Sequence, residues 1–370
     1  MTVDELSAGQ IERPDSVAEL SQMVAGLKGS LVPFGGSTQK EFGNPLRRFD
    51  CAIDLTGLNR ITEYVPADLT IHVEAGVRLE TLSHTLAENK QFLPLNPFVG
   101  PEATIGGIAA TNAQGPLRAT GTIRDWIIGM KVVEANGTIS KTGGRVVKNV
   151  TGYDLAKLYT GSIGSLAIIT EISLKVFAQY GRTASAMAKL DNIQAVKRLL
   201  QQVRASSLQP VSCEWIGREN EVWLKFGEHP KAVDWQLKNL PPADWRILEG
   251  TDESEAWTTL RAKYTKFGPI VLKVIGPPAE TPNIVEEFQP SAWIAHAANG
   301  IILMPLSDPG DIRKVRQKYR AVIEKAPLNF RREISTFGLT DSEYELMRKM
   351  KLAFDPDSRL NPGKHVDGER

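Results

Sequence analysis

The chain has 370 residues and a mass of 40.7 kDa, with 42% hydrophobic and 24% charged residues, enough for two or three domains with real cores. Its 44 basic and 43 acidic side chains leave a net charge of +1, so no overall field gathers nucleic acid or coats an anionic membrane. No apolar run approaches the ~20 residues of a membrane span, the start lacks a basic-then-apolar leader, and the two cysteines, Cys51 and Cys213, make no disulfide framework, iron–sulfur site or Cys-rich zinc site; a soluble chain in a reducing compartment is expected.

In chain order, Val17, Leu20, Val24 and Leu27 at helical spacing predict a helix over Val17–Lys28. Leu31–Phe34 reads as a strand running into Gly35-Gly36-Ser37-Thr38. Cys51–Leu55 and Leu69–Glu74 read as buried strands, and Leu79–Glu88 as a helix with Leu79, Leu82 and Leu86 inward. Ile127–Ala135 and Thr138–Lys141 flank Asn136-Gly137, a strong hairpin signal, and Leu166–Phe177 gives one or two strands. Twelve of the 31 glycines fall between Gly100 and Gly164, against eleven in the following 206 residues. Such enrichment marks tight turns, or main chain that must approach something flat or charged. The first 180 residues therefore read as one unit.

Beyond Gly181 the texture changes. Thr183–Leu190 is strand-like, and Asp191 reads as the N-cap of a helix with Ile193, Val196, Leu199, Leu200 and Val203 on one stripe. Strands follow at Pro210–Ile216 and Glu221–Phe226, a helix at Asp252–Tyr264 and a strand at Ile270–Ile275. Trp293–His296 and Gly300–Leu306 form a β-pair, and Asp311–Lys325 reads as a helix. This order predicts an antiparallel sheet with helices on one face. The chain closes on an irregular stretch from Phe354 through Asn361-Pro362-Gly363-Lys364.

The strong local signatures are missing. There is no G-x-G, G-x-x-x-x-G-K-[ST], C-x-x-C, H-E-x-x-H or G-x-S-x-G, so nicotinamide dehydrogenases, P-loop ATPases, zincins and α/β-hydrolases lose ground. The five histidines show no metal spacing. What remains is a series of small-residue motifs. Pro33-Phe34-Gly35-Gly36-Ser37-Thr38 is either a nest of amides for anionic oxygens or a plain Gly-Gly turn. Pro94–Pro97 and Thr104–Asn112, with Gly106, Gly107, Ala109 and Ala110, is either bare main chain for a planar ring or a close-packed helix. Gly121-Thr122-Ile123-Arg124-Asp125, Gly143–Leu155 and Gly161–Glu171 follow.

In this order and at these separations the motifs resemble the FAD-binding lobe of the vanillyl-alcohol oxidase / p-cresol methylhydroxylase (PCMH) type of oxidoreductase. Gly143–Gly164 and the closing Asp355–Lys364 are most similar to the glycolate-oxidase and D-lactate-dehydrogenase branch, closest to the E-type FAD subunits of bacterial glycolate oxidases. The resemblance implies an α+β fold, with a two-subdomain PCMH-type FAD-binding lobe (1–180), an antiparallel-sheet cap domain (181–330) and a C-terminal segment (331–370) returning to the lobe. It implies diphosphate contacts at Pro33, Phe34, Gly35, Gly36, Ser37 and Thr38, where a side chain at Gly36 would fill the diphosphate's place. Flavin and phosphate contacts are implied at Pro97, Thr104, Ile105, Gly106, Gly107, Ala110, Thr111, Gly121, Thr122, Arg124 and Asp125. The adenosine end falls to Gly161, Ser162, Gly164, Ser165 and Ile169, and the tail contributes Asn361 and Lys364.

The first loop has no histidine or cysteine, which implies non-covalent FAD. The branch's histidine-rich cap element survives only as His296-Ala297-Ala298-Asn299-Gly300, without its acidic residue and second histidine, so no metal is expected. His296 is the candidate catalytic base, or else a partly buried structural histidine. Arg331, Arg332 or Lys364 are candidates to hold a carboxylate. The implied function is the FAD subunit of a glycolate oxidase (dehydrogenase) complex: a small 2-hydroxy acid goes to the 2-oxo acid, with hydride transfer to flavin N5. Electrons then pass to partner subunits, a larger FAD subunit and an iron–sulfur subunit, in the cytoplasm or at the inner membrane face through those partners. Two alternatives stay open: an assembly and electron-transfer subunit without its own substrate oxidation, and a standalone flavin oxidase of another small alcohol or sugar.

Overall fold

The computed structural model describes residues 1–144, 153–306 and 308–366. The motif residues 145–152 lie outside the described residues. The chain divides into two compact units: 1–114 with 121–179 and 339–370, and 115–120 with 180–338.

The first unit begins with a short hairpin of β1 (Thr2–Val3) and β2 (Leu6–Ser7), followed by β3 (Gln10–Glu12), α1 (Val17–Gly26), β4 (Leu31–Phe34) and β5 (Cys51–Asp54). Ser16 caps α1 by accepting from Glu19 N, and α1 buries Leu20 and Val24. β3 and β4 flank β5 in a three-stranded parallel sheet. Next come β6 (Ile61–Val65), β7 (Thr70–Glu74), α2 (Leu79–Glu88), β8 (Gln91–Phe92), α3 (Ile105–Thr111) and α4 (Ile123–Trp126). They are followed by β9 (Ile127–Val133), β10 (Ile139–Gly143), α5 (Leu155–Tyr159), β11 (Ile168–Lys175) and β12 (Phe177–Ala178). The antiparallel sheet runs β10-β9-β11-β7-β6. Its inward faces pack on α2 and α3 through Ile71, Val73, Leu82, Leu86, Ile105 and Ile172. Two small α+β layers thus share this unit.

The second unit contains β13 (Arg182–Lys189), α6 (Ile193–Ala205), β14 (Ser212–Ile216), β15 (Glu221–Glu228), α7 (Pro230–Lys238), β16 (Arg246–Leu248) and α8 (Gly250–Thr265). After these come β17 (Val271–Ile275), α9 (Thr281–Phe288), β18 (Ile294–His296), β19 (Ile301–Pro305), α10 (Pro309–Arg316), β20 (Arg320–Lys325) and α11 (Leu328–Glu333). Its eight strands form one antiparallel sheet in the order β16-β13-β15-β14-β18-β19-β17-β20. Side-chain alternation sorts its faces. Ala184, Ala186, Val222, Leu224, Cys213, Trp215, Ile302 and Ile323 face a core shared with α6, α7, α9 and α10. Burial pushes the Cys213 thiol up to about 12, so it is an inert core residue.

Three local expectations change. The cap of α6 is Asn192, whose side chain accepts from Ala195 N, not Asp191. The expected helix over Asp311–Lys325 ends at Arg316, and β20 follows because Ala321 and Ile323 alternate inward with period two. Helices also cover both faces of the large sheet. The second face carries Thr183, Ser185 and Lys225, and α8 lies on it through Glu253, which accepts from Thr183 and Ser185 hydroxyls at 2.6 Å and pairs with Lys225 at 3.0 Å.

After the second unit the chain returns to the first through α12 (Asp341–Phe354), which opens on a capping box between Thr340 and Glu343. The tail beyond it lies along β4. Leu31 N donates to Arg359 O at 2.8 Å and Asn361 N to Leu31 O at 3.0 Å. Arg359 also donates to Ala135 O at 2.7 Å and Val24 O at 3.2 Å.

His365 lies on this tail. Burial, then the charge of Lys351, push its imidazole down from 6.5 to about 4. As pH falls below 6.5, the unfolded chain takes up a proton that the folded chain refuses until about 4. Stability is therefore complete above the window and is lost as pH drops through it, by at most roughly 3 kcal/mol. Denaturant midpoints of the wild type are expected to fall between pH 6.5 and 4 more steeply than those of His365→Asn. Matching pH slopes for the two proteins would refute this.

Candidate functional site

β4 is apolar and buries Leu31 and Val32 beside β5, then opens into a loop whose Ser37 is left-handed at φ 56°. Among the described residues, the amides of Gly36, Ser37 and Thr38 donate to no protein group. Opposite them stands α3, whose N-cap Thr104 accepts from Gly107 N at 3.2 Å. Gly106 lets α3 lie on the end of β7, since its N donates to Ala75 O at 2.8 Å and a Cβ there would stand 2.6 Å from the Ala75 Cβ. A third wall is the Gly161–Ser165 turn, tied to α3 by Gly161 N to Ala109 O (2.9 Å) and Ile163 N to Ala110 O (2.8 Å). Ile163 (φ 56°) and Gly164 (φ 63°) are both left-handed. The tail supplies the fourth wall: Asn361 (φ 44°) donates from Nδ2 to Ile163 O at 2.6 Å. Lys364 donates to Lys40 O at 2.9 Å and pairs with Asp4 at 3.0 Å.

Between these walls lies a cleft of about 950 Å³, counting the part open to solvent. Of the residues singled out in the sequence, it brings together Pro33, Phe34, Gly35, Gly36, Ser37, Thr38, Thr104, Gly106, Gly107, Ala110, Thr111, Gly164, Ile169, Asn361 and Lys364. It does not gather Pro97, Ile105, Gly121, Thr122, Arg124, Asp125, Gly161, Ser162 or Ser165 onto its lining. Ile105 is core. Gly121, at φ 123°, sits where a Cβ would strike the Trp126 ring. Asp125 closes the capping box of α4 by accepting from Thr122 N at 2.8 Å, while Arg124 is exposed. Ser165 Oγ donates to Ser162 O at 2.6 Å. Met1, Val3, Gln39, Lys40, Phe42 and Ala75 also line the cleft, and the sequence reading missed them. The hairpin of β1 and β2 arrives there through Asp4, which accepts from Leu46 N at 2.8 Å as well as from Lys364.

His296 and Arg331 lie in the second unit. The His296 Nδ1 and Glu214 Oε2 are 2.7 Å apart and both residues are buried, while Ser212 Oγ donates to Glu214 Oε1 at 2.9 Å. Glu214 was not foreseen. Its signal was a charge alternating with Cys213 and Trp215 in an otherwise buried strand. Arg331 is buried and donates from Nε to Ala326 O at 3.0 Å, and Arg332 is exposed. Among the described residues no group of three or more His, Cys, Asp or Glu side chains could hold a metal ion. No helix there is long and apolar enough to cross a membrane.

The cleft fits FAD on its own geometry. Three amides without a protein acceptor belong to its lining and could serve a diphosphate, the walls are largely apolar, and Gly107 is bare and exposed on α3. The comparisons agree. The FAD binding domain family matches residues 10–143, and the C-terminal domain of FAD linked oxidases matches 333–365. The glycolate oxidase subunit GlcE of Escherichia coli is 31% identical over 61% of this chain and 70% of its own length. The glycolate oxidase subunit GlcD of Bacillus subtilis is 25% identical over 95% and 86%. The mitochondrial D-lactate dehydrogenase [cytochrome] of Arabidopsis thaliana is 38% identical over 44% of this chain, which spans 29% of that protein. A solved structure of alkyldihydroxyacetonephosphate synthase, 17% identical, superposes over 95% of this chain and 75% of its own with a TM-score of 0.70. The chain belongs to the PCMH-type FAD-linked oxidoreductases.

The glycines test the site. A Cβ at Gly36 would come within 1.7 Å of Glu102 O, so the neighbouring loop already requires this glycine and its substitution would not report on the cofactor alone. Gly107 is the better probe, because its Cβ would meet only Thr104 Oγ1, at 3.3 Å. Gly107→Leu is expected to keep its thermal midpoint, since Leu is the better helix former by up to about 1 kcal/mol, and to weaken FAD at least about tenfold. Gly36→Ala is expected to lower the midpoint itself. Flavin titration and thermal melting check both, and a Gly107→Leu protein with unchanged affinity would remove the cleft as the cofactor site.

Proposed function

We propose that this chain is the E-type FAD subunit of a glycolate oxidase-like complex, holding FAD non-covalently in the cleft of the first unit and serving the oxidation of a small 2-hydroxy acid to the 2-oxo acid. The observation that carries this reading is the cleft itself, whose lining holds bare glycines and main-chain amides without a protein acceptor, groups suited to a diphosphate. The names of the relatives supply the substrate class, as glycolate oxidase subunits, a D-lactate dehydrogenase and a D-2-hydroxyglutarate dehydrogenase. Bound there, FAD supplies the acceptor for a hydride from the CH–OH carbon. The chain's own part is to bind and orient it. The loop Gly36–Thr38 offers donors, α3 offers a flat apolar surface, and the tail closes the far side.

Non-covalent attachment is supported by the lining, which contains neither histidine nor cysteine. Cys51 is buried beside β4, with its thiol pushed up by that burial. Electrons leaving FAD need acceptors that two buried cysteines do not build, so a larger FAD subunit and an iron–sulfur subunit are the proposed partners, in the cytoplasm or at the membrane face through them.

A second reading is favoured by His296. Its ring is buried against Glu214, which suits a structural pair better than a base reaching substrate. In that reading FAD serves assembly and electron transfer, and a partner oxidises the acid. Purified protein is expected to be yellow and to release all its flavin on acid precipitation; flavin left in the pellet would defeat the non-covalent assignment. Anaerobic bleaching of the flavin by glycolate or D-lactate separates the readings. Bleaching by the chain alone supports oxidation here, and bleaching only after adding the partner flavosubunit supports the second reading.

A further inference from the structure

We propose that the buried pair Lys351–Asp355 is a positioning device for the flavin cleft, setting FAD affinity without touching the cofactor; this rests on the FAD reading above. Lys351 is the buried residue of α12, a helix otherwise only partly covered or exposed. An ammonium there is costly unless every proton is used. Its Nζ donates to Asp355 Oδ2 at 2.5 Å, Ser165 O at 2.8 Å and Leu360 O at 2.8 Å. Asp355, equally inaccessible, accepts Leu360 N at 2.7 Å on Oδ2 and Arg359 N at 3.0 Å on Oδ1.

One charge pair therefore joins α12, the tail and the Gly161–Ser165 turn. A methionine could fill the same volume but could not hold two carbonyls and a carboxylate together. The segments it joins are the ones that present Ile163, Gly164 and Asn361 to the cleft. Ile163, Asn361 and, between Asn361 and the pair, Ser358 are left-handed residues with side chains, a conformation that persists where surroundings over-determine it. Asn361 then fastens Ile163 O, and Leu360 is held along β4, the strand that opens into Gly35–Thr38. Two walls of the cleft thus take their position from a pair whose atoms do not line it. A ligand that fills the cleft binds only the ordered tail and must, by linkage, stabilise it.

The test uses the full chain. Lys351→Met and Asp355→Asn are each expected to raise the FAD dissociation constant at least about tenfold, and the double variant to cost less than the product of the two. Six of the seven tryptophans (215, 223, 235, 245, 257 and 293) belong to the second unit, so the tryptophan melting transition reports that unit, and an unchanged far-ultraviolet melting curve of the full chain shows that the first unit survives as well. The visible circular dichroism of residual bound flavin is expected to change, which a loss of stability alone would not produce. Hydrogen exchange on wild-type protein needs no variant to fold: FAD is expected to slow the amides of Leu360, Asn361 and Ser165. Unchanged affinity and flavin dichroism in both variants, or FAD binding without protection of these amides, would overturn the proposal. Wild-type protein that binds no FAD would instead overturn the cofactor reading.

Discussion

The first unit is built around amides that the fold leaves unspent. A buried main-chain donor without a partner is among the costlier things a protein can contain, so Gly36, Ser37 and Thr38 are kept at an opening where β4 ends. Everything nearby serves to keep that opening from closing on itself. Gly35 and Gly36 let the loop pass against Thr104 and Glu102 without a side chain. Ser37, Ile163, Gly164 and Asn361 turn left-handed around the rim. A diphosphate placed there would be met by neutral dipoles.

Two cations nevertheless stand close by and are spent elsewhere. Lys364 lines the cleft but gives its ammonium to Asp4 and to Lys40 O. Lys351 gives its own to Asp355 and two carbonyls. In both cases a buried charge joins segments that lie far apart in the chain, with Asp4 and Lys364 separated by 360 positions. Buried ion pairs are weak sources of net stability and better sources of a unique arrangement. Here the arrangement specified is that of the cleft walls, closed by an N-terminal hairpin and a C-terminal tail that could not build them alone.

The parts of this site that were legible in the sequence are those whose reason is local. The strand Leu31–Phe34 stopping at two glycines, the small residues of α3 and the glycine turn after α5 each carry their cause within a few positions. The family resemblance assembled them, and the tail residues Asn361 and Lys364 came with it. Met1 and Val3 were invisible because a hairpin with Asp4 and Glu5 left-handed at its turn carries no motif, and its docking depends on a lysine at the other end of the chain. Arg124 and Asp125 looked equally promising, but Asp125 closes the capping box of a four-residue helix. A capping box and a ligand contact use the same residue types, so spacing alone could not separate them.

The second unit shows the same limit from the other side. Alternation correctly gave an antiparallel sheet, yet α10 and β20 merged into one expected helix. A charged sequence such as Arg320-Ala321-Val322-Ile323-Glu324-Lys325 satisfies both periods until its neighbours choose. Here Leu272 and Val274 of β17 stand opposite Ile323 and Ala321 and decide for the strand. On the sheet's other face, Ser212, Glu214 and His296 form a hydrogen-bonded row joining β14 to β18. Glu214 takes no place in any short motif, because its partner is 82 residues away. That carboxylate changes what His296 means. A histidine alone in a strand invites a catalytic role, whereas one buried at 2.7 Å from an inaccessible glutamate is first of all a means of keeping that glutamate inside a sheet.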